Sequence, residues 1–143
     1  MELDTLHIAR GAFGEIAARF PWMQQIEDRD VPVELSVTIP VQPGIEQEIR
    51  LCLQNHDELH FSVGHFCLEW FPCTDPKRVS EYVDAVCGFV VGESRIMEQY
   101  RGNRCVKAQL QAPYQGKWNT IGTWTRLSLP FPWGVTWKEV RNA

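Results

Sequence analysis

The stretch LHFSVGHFCLEWF, residues 59–71, carries the densest apolar pattern of the chain. Read with the period of two that a strand imposes, its apolar residues change face after Val63. One extra residue at Gly64 restores the alternation, because glycine adopts positive φ without steric cost. We therefore predict a bulged strand whose inward face holds Leu59, Phe61, Val63, Phe66, Leu68 and Trp70. Its outward face then holds His60, Ser62, His65, Cys67 and Glu69.

Two amphipathic helices flank this stretch in the sequence. The first is predicted from Thr5 to Phe20, with Asp4 or Thr5 as its cap and apolar residues at helical spacing. The second is predicted to begin at Pro76, after the cap Asp75, and to stop near Gly92. Both helices have one apolar stripe, so each is expected to pack on a sheet.

Alternating apolar and polar residues predict further strands at 31–39 and 45–54, then at 95–101, 104–111 and 117–129. Residues 130–137 mix prolines with aromatics and are expected to form an edge strand or an ordered tail. The element order is α-β-β-β-α-β-β-β. It predicts a single α+β domain over residues 1–143, a two-layer sandwich of two amphipathic helices on an antiparallel meander sheet.

Composition excludes several classes of function. The chain has 143 residues and a formal net charge of −4, which gives no basic field for nucleic acid. It has no apolar run near the ~20 residues that a membrane helix needs, so we predict no membrane partner. The start of the chain shows no signal peptide, and the five cysteines are an odd, widely spaced set. These features predict free thiols and a cytoplasmic location.

The outward face of residues 59–71 offers the one candidate ligand or metal site: His60, His65, Cys67 and Glu69. Imidazole, thiolate and carboxylate all bind zinc, but the spacing is not that of a zinc motif. We therefore predict no resident metal or cofactor and expect a solvated sheet face. A histidine paired with Cys67 or Cys87 remains open as a thiol nucleophile.

Tryptophans crowd the last quarter of the chain, at Trp118, Trp124, Trp133 and Trp137. They are predicted to be mostly core, and the alternative is an exposed aromatic surface for a protein partner. The outer faces of the two strand groups also differ in charge, acidic in the first and basic in the second. Such a pairing suits contact between two copies of the chain, so a homodimer is expected.

The sequence thus favours a small cytosolic, non-catalytic binding or adaptor protein, whose partner is another protein or a second copy. Its element order is similar to that of small acidic secretion chaperones, although a Pro/Trp segment stands where their C-terminal helix would lie. A toxin-blocking immunity protein fits the same class. The alternative is a small enzyme or a metal- or ligand-binding protein that uses the His/Cys/Glu cluster.

Overall fold

The computed structural model describes residues 4–127 and 134–142, and these ranges contain two helices and nine strands. The elements are α1 Thr5–Arg19, β1 Ile26–Glu27, β2 Leu35–Ile39, β3 Ile49–Gln54, β4 Glu58–Val63, β5 Phe66–Trp70, α2 Pro76–Val90, β6 Arg95–Arg101, β7 Arg104–Tyr114, β8 Lys117–Thr125 and β9 Thr136–Val140. The predicted α+β class and the order of helices and strand groups are confirmed. The strands form two antiparallel sheets, ordered β1-β2-β3-β4-β5 and β8-β7-β6-β9.

Residues 58–70 form a β-hairpin. Strands β4 and β5 pair with Val63 opposite Phe66, and Gly64 and His65 form the two-residue turn between them. Gly64 takes a φ of 56°, which is why a glycine stands there. Val63 and Phe66 do share a face, as predicted, because cross-strand partners point the same way. The cause is a reversal of the chain at Gly64, and the predicted bulge within one strand is wrong.

Several strands are shorter or arranged differently than the alternation predicts. Strand β2 begins only at Leu35, after Pro32, which has no N–H to give to a ladder. Strand β3 begins at Ile49, because Ile45 instead bridges Gln42 across a turn. The last strand, β9, pairs with β6 and forms an edge of the second sheet.

Both helices are capped as predicted and pack on the first sheet. The Asp4 side chain accepts a hydrogen bond from the His7 N–H, and that of Asp75 accepts one from Lys77. Aromatic contacts link the layers: the ring of Tyr82 lies 5.4 Å from Trp70, and the rings of Phe61 and Phe89 lie 5.8 Å apart. The helices therefore cover the apolar face of β3, β4 and β5 and leave its polar face outward.

One cluster of buried apolar side chains includes residues from both sheets and both helices, among them Ile16, Phe61, Phe89 and Leu110. Asn142, after β9, links the segment before β3 to the end of α2 through its buried side-chain amide. Its Oδ1 accepts from the Glu46 N–H at 2.8 Å, and its Nδ2 donates to the Phe89 carbonyl at 3.2 Å. Neither described helix is long and apolar enough to cross a lipid bilayer.

Candidate functional site

The polar face of the first sheet is partly buried although no helix covers it. His60 lies between Cys52 on β3 and Glu69 on β5, its partners in the ladder. Only 8% of His60 is exposed, and Ser36 and Thr38 on β2 are equally buried. The structure therefore brings three of the four predicted site residues, His60, Cys67 and Glu69, onto one face.

Three side chains on this face form a hydrogen-bonded series. Cys67 Sγ lies 3.8 Å from His60 Nδ1, and His60 Nε2 lies 3.0 Å from Glu58 Oε1. The hydrogen bond to His60 lowers the pKa of the Cys67 thiol against the opposing effect of burial. The same bond, supported by Glu58, raises the pKa of His60. This order of thiol, imidazole and carboxylate is the arrangement in which a base activates a nucleophile and is itself oriented.

The remaining cysteines have a different character. All five are free thiols, and burial raises the pKa of Cys73, Cys87 and Cys105 and that of Cys52 to about 11. Cys87 lies beside Arg19, so its neighbour is a guanidinium and not the base that a nucleophile pair requires. Of the two thiols considered from the sequence, the structure gives only Cys67 a histidine partner within the described residues.

His65 does not belong to this series. It stands in the turn after Gly64, where its ring lies 6.2 Å from Tyr100 and 6.3 Å from Trp124. The predicted four-residue site is therefore divided: three of its residues lie on the polar face of the first sheet, and His65 lies against the second sheet. The prediction assumed one bulged strand, so it placed His65 beside the other three site residues. In the structure its neighbours are Tyr100 and Trp124.

The tryptophans are also dispersed. Trp118 lies against the guanidinium of Arg95, 4.1 Å from the ring centre, and Trp137 is half exposed opposite Gln99 on the same outer face. Trp124 lies on the inner face opposite Ala108 and packs against the core. Trp133 lies outside the described residues. Trp118, Trp124 and Trp137 thus form no single aromatic patch.

An open cleft of about 890 Å³ lies between β5, α2 and the β7–β8 hairpin. The last three residues of β5 and the residue that follows them line it: Leu68, Glu69, Trp70 and Phe71. Because successive side chains of a strand point to opposite faces, consecutive lining residues mean that the cleft opens along the edge of β5.

That edge has no ladder partner among the described strands, since β5 is the last strand of its sheet. A two-residue turn closes on a hydrogen-bonded pair, here Val63 and Phe66, and such pairs alternate along the hairpin. Cys67 and Glu69 therefore direct their backbone N–H and C=O groups away from β4. The second sheet approaches β5 where Gly122 lies against Leu68, and the cleft opens beyond that contact.

The cleft is apolar inside and acidic at its rim. Trp70, Phe71 and Ile121 provide apolar surface, and Phe71 is 53% exposed. Four acidic residues line it against a single cation: Glu69, Glu81, Asp84 and Glu93 against Arg78. Arg78 is paired with Glu81 at 2.8 Å, and Asp84 is paired with Arg19 at 3.6 Å, so the net charge around the cleft remains negative.

No sequence pattern predicts this cleft. Its walls come from three separate segments, 68–71, 78–94 and 112–121, whose approach depends on how the two sheets meet. No protein-family model matches the chain, and neither the curated proteins nor the solved structures contain a significant match.

Proposed function

We propose that the protein is a non-catalytic binding protein that accepts an extended, basic segment of a partner polypeptide in the cleft beside β5. The observation that carries this proposal is the open cleft along an unpaired strand edge. An exposed edge is a template for an added strand, and its free backbone groups bind extended peptides without regard to sequence.

Side chains around the edge supply the selectivity. The residues of an added strand alternate in direction, so every second one would enter the apolar part of the cleft near Trp70 and Ile121. The residues between them would meet the acidic rim formed by Asp84 and Glu93. Charge complementarity therefore favours a segment that alternates apolar residues with lysine or arginine.

A displayed library of random linear peptides tests the proposal. Peptides selected on the wild-type protein should alternate apolar and basic residues. They should lose at least tenfold in affinity for the Asp84→Lys/Glu93→Lys variant. The matched control, Glu46→Lys/Glu48→Lys, changes the charge equally at exposed residues outside the cleft lining and should bind as wild type. Equal binding to all three proteins, or selection of no basic peptides, would overturn the proposal.

The backbone contribution needs a separate experiment. Selected peptides are resynthesised with N-methyl groups at alternate residues, in both registers. Strand addition predicts that one register abolishes binding and the other leaves it nearly unchanged, because only every second N–H faces the edge of β5. Equal effects of both registers would show that the peptide is held by side chains alone.

A second candidate function rests on the Cys67–His60–Glu58 series. We propose that Cys67 is a thiol nucleophile, the enzyme or ligand-binding alternative predicted from this face. Alkylation with iodoacetamide, followed residue by residue by mass spectrometry, should modify Cys67 before the other four cysteines. His60→Gln should slow that reaction at least tenfold, and His56→Gln, in the exposed turn before β4, should not. Alkylation of Cys67 at the rate of a buried cysteine would reject it.

Location and assembly are part of the same proposal. Five free thiols support a reducing compartment such as the cytoplasm. A second copy of the chain would be an alternative partner, as a homodimer. Sedimentation velocity over a range of concentrations distinguishes the two: a concentration-dependent dimer that Asp84→Lys/Glu93→Lys dissociates would make the cleft a self-association site.

A further inference from the structure

Three residues from separate elements meet where the β4–β5 turn reaches the second sheet. His65 lies in that turn, Glu98 on β6 and Cys105 on β7, and one ligand atom of each lies within 4.8 Å of the other two. None of them lines the cleft or belongs to the Cys67 series. The group contains a nitrogen, an oxygen and a sulfur donor.

The carboxylate of Glu98 is the unusual member. Glu98 is 2% exposed, and no ion pair between described residues includes it. Its hydrogen-bond partner is the Tyr100 hydroxyl, which donates to Oε1 at 3.0 Å. A buried carboxylate is costly unless it is paired or coordinates a metal. The position of Glu98 therefore favours a cation beside it.

Gln47 supplies an independent observation. Its Oε1 is buried and has no hydrogen-bond partner among the described residues. A β-carbon on Gly64 would stand 3.5 Å from that oxygen and 3.4 Å from Glu98 Oε2, so both oxygens border the same space beside the turn. An orphaned buried acceptor calls for a donor or a cation.

We propose that His65, Glu98 and Cys105 bind one zinc-type divalent metal ion, with Gln47 Oε1 or a water as the fourth ligand. Imidazole, carboxylate and thiolate are the ligands that zinc takes in four-coordinate sites. Such ligands lie roughly 3.3–3.8 Å apart around the ion, given metal–ligand distances of about 2.0–2.3 Å. From separations of up to 4.8 Å the ligand atoms therefore move together by about 1.5 Å at most, and binding releases the Cys105 thiol proton to solvent.

The surroundings suit this role. His65 is exposed, which gives the ion access from solvent, and its ring is held by Tyr100 and Trp124. Tyr100 also fixes the Glu98 carboxylate by its hydrogen bond, the kind of outer contact that orients metal ligands. The bound ion would link the hairpin of the first sheet to β6 and β7 of the second.

Cobalt(II) added to the untagged protein is the direct test, because a cobalt–thiolate bond gives an intense charge-transfer band and a tetrahedral site gives visible d–d bands. Zinc affinity is then measured by competition with a chromogenic chelator. The variants Cys105→Ser and His65→Ala should each weaken zinc binding at least tenfold, and Cys105→Ser should remove the charge-transfer band. His65→Ala alters an exposed turn residue, so its loss of binding would not reflect an unfolded core.

The matched control is Cys67→Ser with His60→Ala, which removes the other cysteine–histidine contact. It should keep the band and the affinity of the wild type. The proposal is overturned by the absence of a charge-transfer band. It is equally overturned if the band survives Cys105→Ser and disappears in the control, which would assign the metal to the face of the first sheet.

Discussion

Leu68 and Gly122 are in direct contact where the two sheets meet, and a β-carbon on Gly122 would overlap Leu68 Cδ2. Gly122 has no positive φ, so the glycine is required here by space alone. Gly122→Ala should therefore destabilise the protein by about 1–3 kcal/mol, the usual cost of overpacking a core. Urea unfolding at constant pH measures the difference.

A double-mutant cycle isolates that contact. Leu68→Ala alone should destabilise by loss of packing, and the pair Gly122→Ala/Leu68→Ala should be more stable than the sum of the single changes predicts. Strict additivity would show that Gly122 is not limited by Leu68. The Gly122→Ala protein should also have a changed affinity for peptides that bind in the cleft, because the contact between Leu68 and Gly122 sets where the cleft begins.

Two other glycines, Gly11 and Gly14, should give the opposite result. Both are exposed in the middle of α1, and an added β-carbon meets no atom within 4 Å. Gly11→Ala and Gly14→Ala should each stabilise by roughly 0.5–1 kcal/mol, because alanine loses less backbone entropy in a helix. Thermal and urea unfolding check this. Gly102→Ala is the contrasting control, since its φ of 60° should make the same change destabilising.

Asn142→Ala should be among the more damaging polar substitutions. The side chain accepts from the partly buried Glu46 N–H and donates to the Phe89 carbonyl, which also accepts from the Gly92 N–H. The substitution leaves the Glu46 N–H without this partner, and an unsatisfied buried group costs about 1–3 kcal/mol, so a loss of that size in the free energy of unfolding is expected. Asn119→Ala, at an exposed residue of β8, should change stability by less than about 0.5 kcal/mol.

Stability should also depend on pH through His60. Its pKa is raised above the ordinary 6.5 by hydrogen bonds to Cys67 and Glu58, with Glu69 adding to the same effect. A raised pKa means that the folded protein binds the proton more tightly. The stabilisation is therefore complete below about pH 6.5 and is lost as the pH rises through the folded-state value.

The urea midpoints of wild type and His60→Gln, compared from pH 5 to pH 9, measure this contribution. The advantage of the wild type should be largest at the acidic end and should shrink as the pH rises above about 6.5. Cys52 and Cys67 also face His60, so Cys67→Ser should reduce the pH dependence. An advantage that grows with pH would contradict the assignment.

Much of the fold could be predicted because local chemistry decides it. Asp4, Asp75 and Pro76 mark the helix starts, and the apolar face of residues 59–70 follows from alternation. A glycine at which the apolar–polar alternation shifts by one residue, however, looks the same in sequence in two cases. It can mark a bulge within one strand or a turn between two strands. The turn at Gly64–His65 therefore appeared only in the structure.

The sites were less predictable because they depend on contacts between distant segments. His60 and Cys67 were predicted to share one face of a single bulged strand, and the structure brings them into contact across a hairpin. The carboxylate that completes the series, Glu58, was missed although it lies two residues before His60 on the same strand face. Glu98 and Cys105 had no sequence signal that pointed to His65, because their meeting requires the second sheet to dock on the turn.

The hydrogen bond from the Glu46 N–H to Asn142 Oδ1 joins residues 96 positions apart. During synthesis on the ribosome, the first sheet and both helices can assemble from neighbouring segments well before β9 emerges. Until β9 emerges, one edge of β6 has no partner strand, because β9 pairs with it there. Contacts between residues so far apart in sequence slow folding, and the unpaired edge of β6 is where nascent chains would associate wrongly.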